Sequence, residues 1–187
     1  MGGRFLVMLS VLLAGTAYPQ SSAESLRRQA LELAQKKQWD PAITAYRKAI
    51  ALQPNDADLH YNLALACKYK GDNRAATDEF RSAARLKPGW PAAHYGAGAA
   101  LFALGDAAAA LVELRSAVRL DPNYAAAHAF LGAVLFSRRE LPEAEAELKS
   151  ALRLRADQPD VRDMLAMVYL QGNNPSAAAE QLRLALT

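Results

Sequence analysis

The chain has 187 residues, 52% of them hydrophobic and 22% charged, and 22 basic against 19 acidic side chains leave a formal charge of +3. So mild an excess points to no particular partner. The single cysteine, Cys67, excludes an internal disulfide framework, and its place on an apolar helical column predicts a buried, inert thiol.

Residues 1–22 differ in composition from everything after them. Arg4 precedes an apolar run from Phe5 to Ala14, then come small residues and a polar stretch from Pro19 to Ser22, which is the order of a secretory signal peptide. The run is about ten residues long, whereas a helix needs about 20 to cross the hydrocarbon core, so a retained span is disfavoured. Gly15 and Ala17 suit cleavage after Ala17, and Ser21 and Ala23 suit a second site after Ala23. Leu13-Ala14-Gly15 resembles the start of a bacterial lipoprotein signal, but Thr16 stands where a lipidated cysteine would be needed. The expectation is a soluble chain, periplasmic or secreted, without a membrane span or lipid anchor. Removing Arg4 with the signal leaves it a charge of +2.

From Ala23 onward the sequence repeats itself. Pro54, Pro88 and Pro122 are spaced by 34 residues, and at that step Ala42, Ala76, Ala110, Ala144 and Ala178 form an unbroken column. Ala49, Ala83, Ala117, Ala151 and Ala185 form a second. A third, Ala30, Ala64, Gly98, Gly132 and Ala166, admits only the two smallest residues, as a close helix-to-helix contact demands. This period predicts five copies of one unit, at residues 23–56, 57–90, 91–124, 125–158 and 159–187.

Inside each copy, apolar residues recur at helical spacing, as in Leu59, Leu63, Ala64 and Cys67. Gly71-Asp72-Asn73, Gly105-Asp106 and Glu140-Leu141-Pro142 divide their copies in two. Asp40-Pro41 and Asn174-Pro175 each predict a capping side chain before a proline at the first helical position. Gln53-Pro54-Asn55, Lys87-Pro88-Gly89 and Asp121-Pro122-Asn123 end the second helix of their copies. Ten short antiparallel helices follow. Each hairpin is too rich in alanine to bury its apolar face alone, so neighbouring hairpins supply the burial.

A bulky residue, Leu-Ala or Leu-Gly, and a further apolar residue recur as His60, Leu63, Ala64, Cys67 and as His128, Leu131, Gly132, Leu135, a pattern that with the 34-residue period resembles the motif of the tetratricopeptide repeat family. Alanine followed four residues on by an aromatic appears as Ala42 with Tyr46 and Ala76 with Phe80. Leu114, Leu148 and Leu182 replace the aromatic in later copies, and Ala156 stands where a fourth proline would fall. The resemblance implies an all-α, right-handed superhelical α-solenoid of five hairpins behind a signal peptide. It also implies a non-enzymatic scaffold, without cofactors, whose first helices line a concave groove. Members share the scaffold and differ in what they bind.

Candidate chemistry is sparse. His60, His94 and His128 share one column, but equivalent residues in neighbouring copies lie about 8 to 10 Å apart, against zinc–nitrogen distances of about 2.0 to 2.1 Å, which favours packing over metal ligation. There is no nucleophile beside a base, phosphate loop or metal motif, and Gly96 with Gly98 lacks the strand of a nucleotide fingerprint. More informative is a second apolar stripe on the first helices: Tyr61, Leu65, Lys68 and Tyr69; Tyr95, Ala99 and Phe102; Ala129, Ala133 and Phe136; Asp163, Met167 and Leu170. The resemblance places it in the groove, so Arg27, Tyr61, Asn62, Lys68, Tyr69, Tyr95, Phe102, Phe136 and Met167 are the expected partner-binding residues, suited to an apolar or extended peptide. The competing reading is that these side chains pad neighbouring helices. Arg47, Arg81, Arg115, Lys149 and Arg183 form a basic column, reinforced by Arg85, Arg119 and Arg153 and flanked by Glu79, Glu113 and Glu147. Such mixed charge reads as a solvated face, with attachment to an anionic surface as the alternative and nucleic acid not expected. Leu182 and Leu186 suggest a homo-oligomer through the C-terminal hairpin.

Overall fold

In the computed structural model residues 22–186 are described, and the expected signal segment falls outside them save for Ser22. The helices are α1 (Ala23–Gln35), α2 (Trp39–Leu52), α3 (Ala57–Lys70), α4 (Asn73–Leu86), α5 (Pro91–Ala103), α6 (Ala107–Leu120), α7 (Ala125–Ser137), α8 (Leu141–Leu154), α9 (Pro159–Gln171) and α10 (Pro175–Ala185). They pack in consecutive pairs as five hairpins.

Side-chain caps start many of the helices. Asp72 Oδ1 accepts from the Ala75 N–H at 3.0 Å, Asp106 Oδ1 from Ala109 at 2.9 Å, and Asn174 Oδ1 from Ala177 at 3.2 Å. Asp40 departs from the expectation. Helix α2 starts at Trp39, the same place in the 34-residue period as Asn73, Ala107, Leu141 and Pro175, so the cap position falls on Gln38, whose side chain makes no capping bond. Asp40 lies inside the first turn, where its carboxylate receives Lys70 Nζ while Trp39 stacks on Tyr69 with centroids 5.2 Å apart.

The turn within each hairpin needs one left-handed residue. Gly71 and Gly105 supply it at φ 93° and 83°, where glycine pays no steric penalty. The same position is Lys37, Arg139 and Asn173 in the other copies, at φ 57°, 62° and 60°, a conformation costing an L-residue roughly 1–2 kcal/mol. Between hairpins, Gln53, Lys87 and Asp121 are extended at φ −135°, as the following proline requires. Arg155 holds nearly the same conformation before Ala156, and its N–H bonds the Ala151 carbonyl at 2.9 Å just as Lys87 bonds Ala83.

Each helix packs on the next, and the first helices of successive hairpins also touch from α3 to α9, which makes the odd-numbered helices one layer and the even-numbered ones the other. Burial is spread along the stack, with one cluster from Leu26 to Ala100 and another from Leu101 to Val168. Ala42, Ala76, Ala110 and Ala144 are fully buried, as are Phe80, Leu114 and Leu148 inside their hairpins. Leu182, the equivalent in the fifth hairpin, is 44% exposed because no further hairpin among the described residues covers it. Cys67 is buried, and burial pushes its thiol pKa up.

The histidine column is a clasp between layers. His60 Nδ1 lies 2.6 Å from Glu79 Oε2, His94 Nδ1 2.9 Å from Glu113 Oε2, and His128 Nδ1 2.6 Å from Glu147 Oε2. His60 Nε2 and His128 Nε2 each sit 3.0 Å from the carbonyl of a junction proline, Pro54 and Pro122. In the fifth copy Arg162 does the same work, donating to Gln181 Oε1 at 3.3 Å and to the Ala156 carbonyl at 3.2 Å. Glu113 also accepts from Arg81 Nε at 2.9 Å, so it ties α4, α5 and α6 together. Glu113→Ala is expected to lower stability by about 1.5–3 kcal/mol, the usual range for losing hydrogen bonds to charged groups. An unchanged denaturant midpoint would remove the clasp from the account.

Candidate functional site

The stripe runs down the odd-numbered helices, which meet their own kind along the stack from α3 to α9. In the first three copies its first residue reaches across a junction to the N-cap residue of the next copy's first helix, 29 positions on. Arg27 pairs with Asp56, which itself caps α3 by accepting from Asp58 and Leu59 N–H at 2.9 and 3.1 Å. Tyr61 stacks on Trp90 with centroids 4.5 Å apart and meets Phe80 edge-on at 5.4 Å. Tyr95 lies 5.3 Å from the Tyr124 ring and 5.9 Å from Phe130. In the fourth copy the two positions hold Ala129 and Gln158.

The other expected residues divide. Asn62 and Tyr69 line a hollow of about 250 Å³ with Leu31, Ala34, Trp39 and Leu65, in which Tyr69 is 64% exposed. Lys68 Nζ lies 6.0 Å from the Tyr69 ring centroid. Phe102 packs edge-on against Phe130 at 5.7 Å, Phe136 is half-buried against the C-terminal cluster, and Met167 is exposed. Thus Arg27, Tyr61 and Tyr95 fasten junctions, Phe102 and Phe136 lie partly in the wall, and Asn62, Lys68, Tyr69 and Met167 remain at the open surface. Trp39, Trp90, Tyr124 and Phe130 were not anticipated. Trp90 and Tyr124 stand in one 34-residue column with Asp56 and Gln158, a signal present in the sequence.

Burial also sets the chemistry of the staples. It pushes the phenols of Tyr61 and Tyr95 up, and takes Tyr124 to about 12, with neighbouring Tyr95 adding to the effect. The unfolded chain ionises this phenol near 10.0 while the folded chain holds its proton to about 12, so stability falls as pH rises through that interval. An ultraviolet tyrosinate titration should show a late fraction that Tyr124→Phe reduces, since Tyr61 and Tyr95 also titrate late; titration of every tyrosine together near 10.0 would contradict it.

No group of three or more His, Cys, Asp or Glu is placed to hold a metal among the described residues, and no helix there is long and apolar enough to cross a membrane. Three family models match: one described as TPR repeat at residues 30–68, and two described as tetratricopeptide repeat at 68–124 and 101–168. Among curated proteins, none matches the sequence. Similar solved structures include MamA 41-end from Desulfovibrio magneticus RS-1, with TM-score 0.83 and 20% identity over 89% of this chain and 94% of that one. YrrB, described as a TPR protein with an unusual peptide-binding site, gives 0.75 and 24% over 88% and 85%. TTC0263, a thermophilic TPR protein of Thermus thermophilus, gives 0.67 and 28% over 88% and 90%.

Proposed function

Because the chain belongs to the tetratricopeptide repeat family, its matches running from residue 30 to 168, we propose that it is a non-enzymatic, exported scaffold that holds an apolar or extended segment of a partner protein in its concave groove. The observation that carries this reading is the apolar hollow lined by Leu31, Leu65, the half-buried Trp39 and the exposed Tyr69 stacked on it. Large aromatic surface left open at one place is the usual mark of an interaction site. The peptide-binding site for which YrrB is described supports the same class of ligand. Export rests on the order of residues 1–22, and a mature chain recovered from the periplasm beginning at Tyr18 or Glu24 is its test.

A second reading has its own observation. Arg85, Arg119 and Arg153 each donate to a serine of their own helix, Ser82, Ser116 and Ser150, at 2.8 to 3.0 Å, and no carboxylate pairs with them among the described residues. This ladder would suit an envelope component attached to an anionic surface, with self-association through the exposed Leu182 as its other means of assembly. Ionic strength separates the two. Groove binding persists at high salt, whereas a surface held by arginines releases the protein steeply.

A further inference from the structure

The junction between the fourth and fifth hairpins lacks the filling of the two before it. Tyr61 against Trp90 and Tyr95 against Tyr124 put a pair of rings at those junctions. At the next one, Ala129 carries no ring, and the Gln158 amide turns back to donate to the carbonyls of Ala151 at 3.3 Å and Arg155 at 2.9 Å. What remains is a hollow of about 250 Å³ walled by Tyr95, Phe130, Ala133, Val161 and Met164, with Ala129 and Asp160 also lining it. Its walls are apolar and aromatic, and the chain's own internal precedent for this place is an aromatic ring.

The charge around it is one-sided. Asp160, among the residues lining the hollow, and Asp163, one turn along α9, are both exposed and pair with no cation among the described residues. Arg162 between them is turned to Gln181 and the Ala156 carbonyl. We propose that this hollow takes an aromatic side chain of a bound peptide, and that a lysine or arginine adjacent to it in the peptide pairs with Asp160 and Asp163. This rests on the groove reading and assigns it a subsite with a residue preference: a ring for the walls, a cation for the rim.

The test uses the full chain, labelled with ¹⁵N, and a blocked hexapeptide of sequence Gly-Ser-Phe-Arg-Ser-Gly. Amide shifts are expected to centre on Ala126, Ala129, Ala133 and Met164. Ala129→Tyr restores from within the chain the ring that the earlier junctions hold, so it should reduce affinity about 30-fold, the scale of one hot-spot side chain, without lowering the melting temperature. Ala133→Leu fills the hollow from the next turn of α7 and answers the same question if Ala129→Tyr melts early. Asp160→Asn should weaken the arginine peptide and leave a peptide with glutamine in its place unaffected. Shifts that survive both filling variants, or that map to the Trp39–Tyr69 hollow instead, overturn the subsite while leaving the groove reading standing. An absence of any shift on the inner face overturns the subsite, and capture of the natural partner by the groove would still be judged separately at Trp39 and Tyr69.

Discussion

Gly132→Leu is expected to lower the stability of the stack by about 1–3 kcal/mol, through overpacking at a contact that has no room for a side chain. A Cβ at Gly132 would stand 2.7 Å from Leu148 Cγ, 2.9 Å from its Cδ2 and 3.2 Å from the Ala144 carbonyl oxygen, so even alanine forces a shift. Gly98 meets Leu114 and Ala110 in the same way, at 2.7 and 3.2 Å. The rest of the column explains why. Sixteen residues after Ala30 and Ala64 stand Tyr46 and Phe80, flat rings, whereas sixteen after Gly98 and Gly132 stand leucines, branched at Cγ. Ala166 has Leu182 at that distance, but Leu182 is 44% exposed and free to yield. Gly132→Ala should therefore be destabilising alone and partly rescued by Leu148→Phe, a coupling that a double-mutant cycle in denaturant reads directly. A melt indifferent to Gly132→Leu would mean that α7 and α8 do not approach as described.

Trp39→Ala with Tyr69→Ala should weaken partner binding by about 2 kcal/mol or more, roughly 30-fold. Tyr69→Ala alone should change stability little, and the loss of Trp39, partly buried against the N-terminal core, accounts for whatever stability the pair gives up. Tyr69 is mostly exposed, and its stack on Trp39 contributes about 0.5–1.5 kcal/mol at most. Tyr61→Ala and Tyr95→Ala should do the reverse. Each removes a ring from between two hairpins, so the melt falls, and any loss of binding follows from loss of structure. Measuring affinity and thermal unfolding on the same variants separates a groove residue from a staple. Equal affinity in the Trp39/Tyr69 variant would move the site away from the N-terminal hollow.

The hairpins were legible because a 34-residue period acts on every copy at once: the alanine columns, the small column and the junction prolines each repeat the same constraint. Those columns give stacked helical hairpins, and the superhelical arrangement is what the resemblance to the family adds. The inner face was only half legible. Placing residues on a helix at about 100° per position identifies which side chains share a stripe, yet it does not show what lies opposite them. Tyr61 and Tyr95 share a stripe with Phe102 but meet Trp90 and Tyr124, which belong to the next copy's cap. Turns show the same limit: Gly71 and Gly105 announce a left-handed residue, whereas Lys37, Arg139 and Asn173 adopt it because the neighbouring helices over-determine it. Asp40 reads as a cap beside Pro41, yet the period that starts the other second helices at Asn73, Ala107, Leu141 and Pro175 puts the cap of α2 at Gln38.

Photo-crosslinking from single positions tests the concave-groove account most directly. A crosslinkable residue placed at Leu31, Tyr69 or Met167 on the inner layer, and at Arg85 or Arg119 on the outer one, is activated in cells and its adducts identified by mass. The account predicts one common protein partner captured from the inner positions and lost from the outer ones. Capture from Arg85 and Arg119 alone, with Leu31, Tyr69 and Met167 silent, would contradict it.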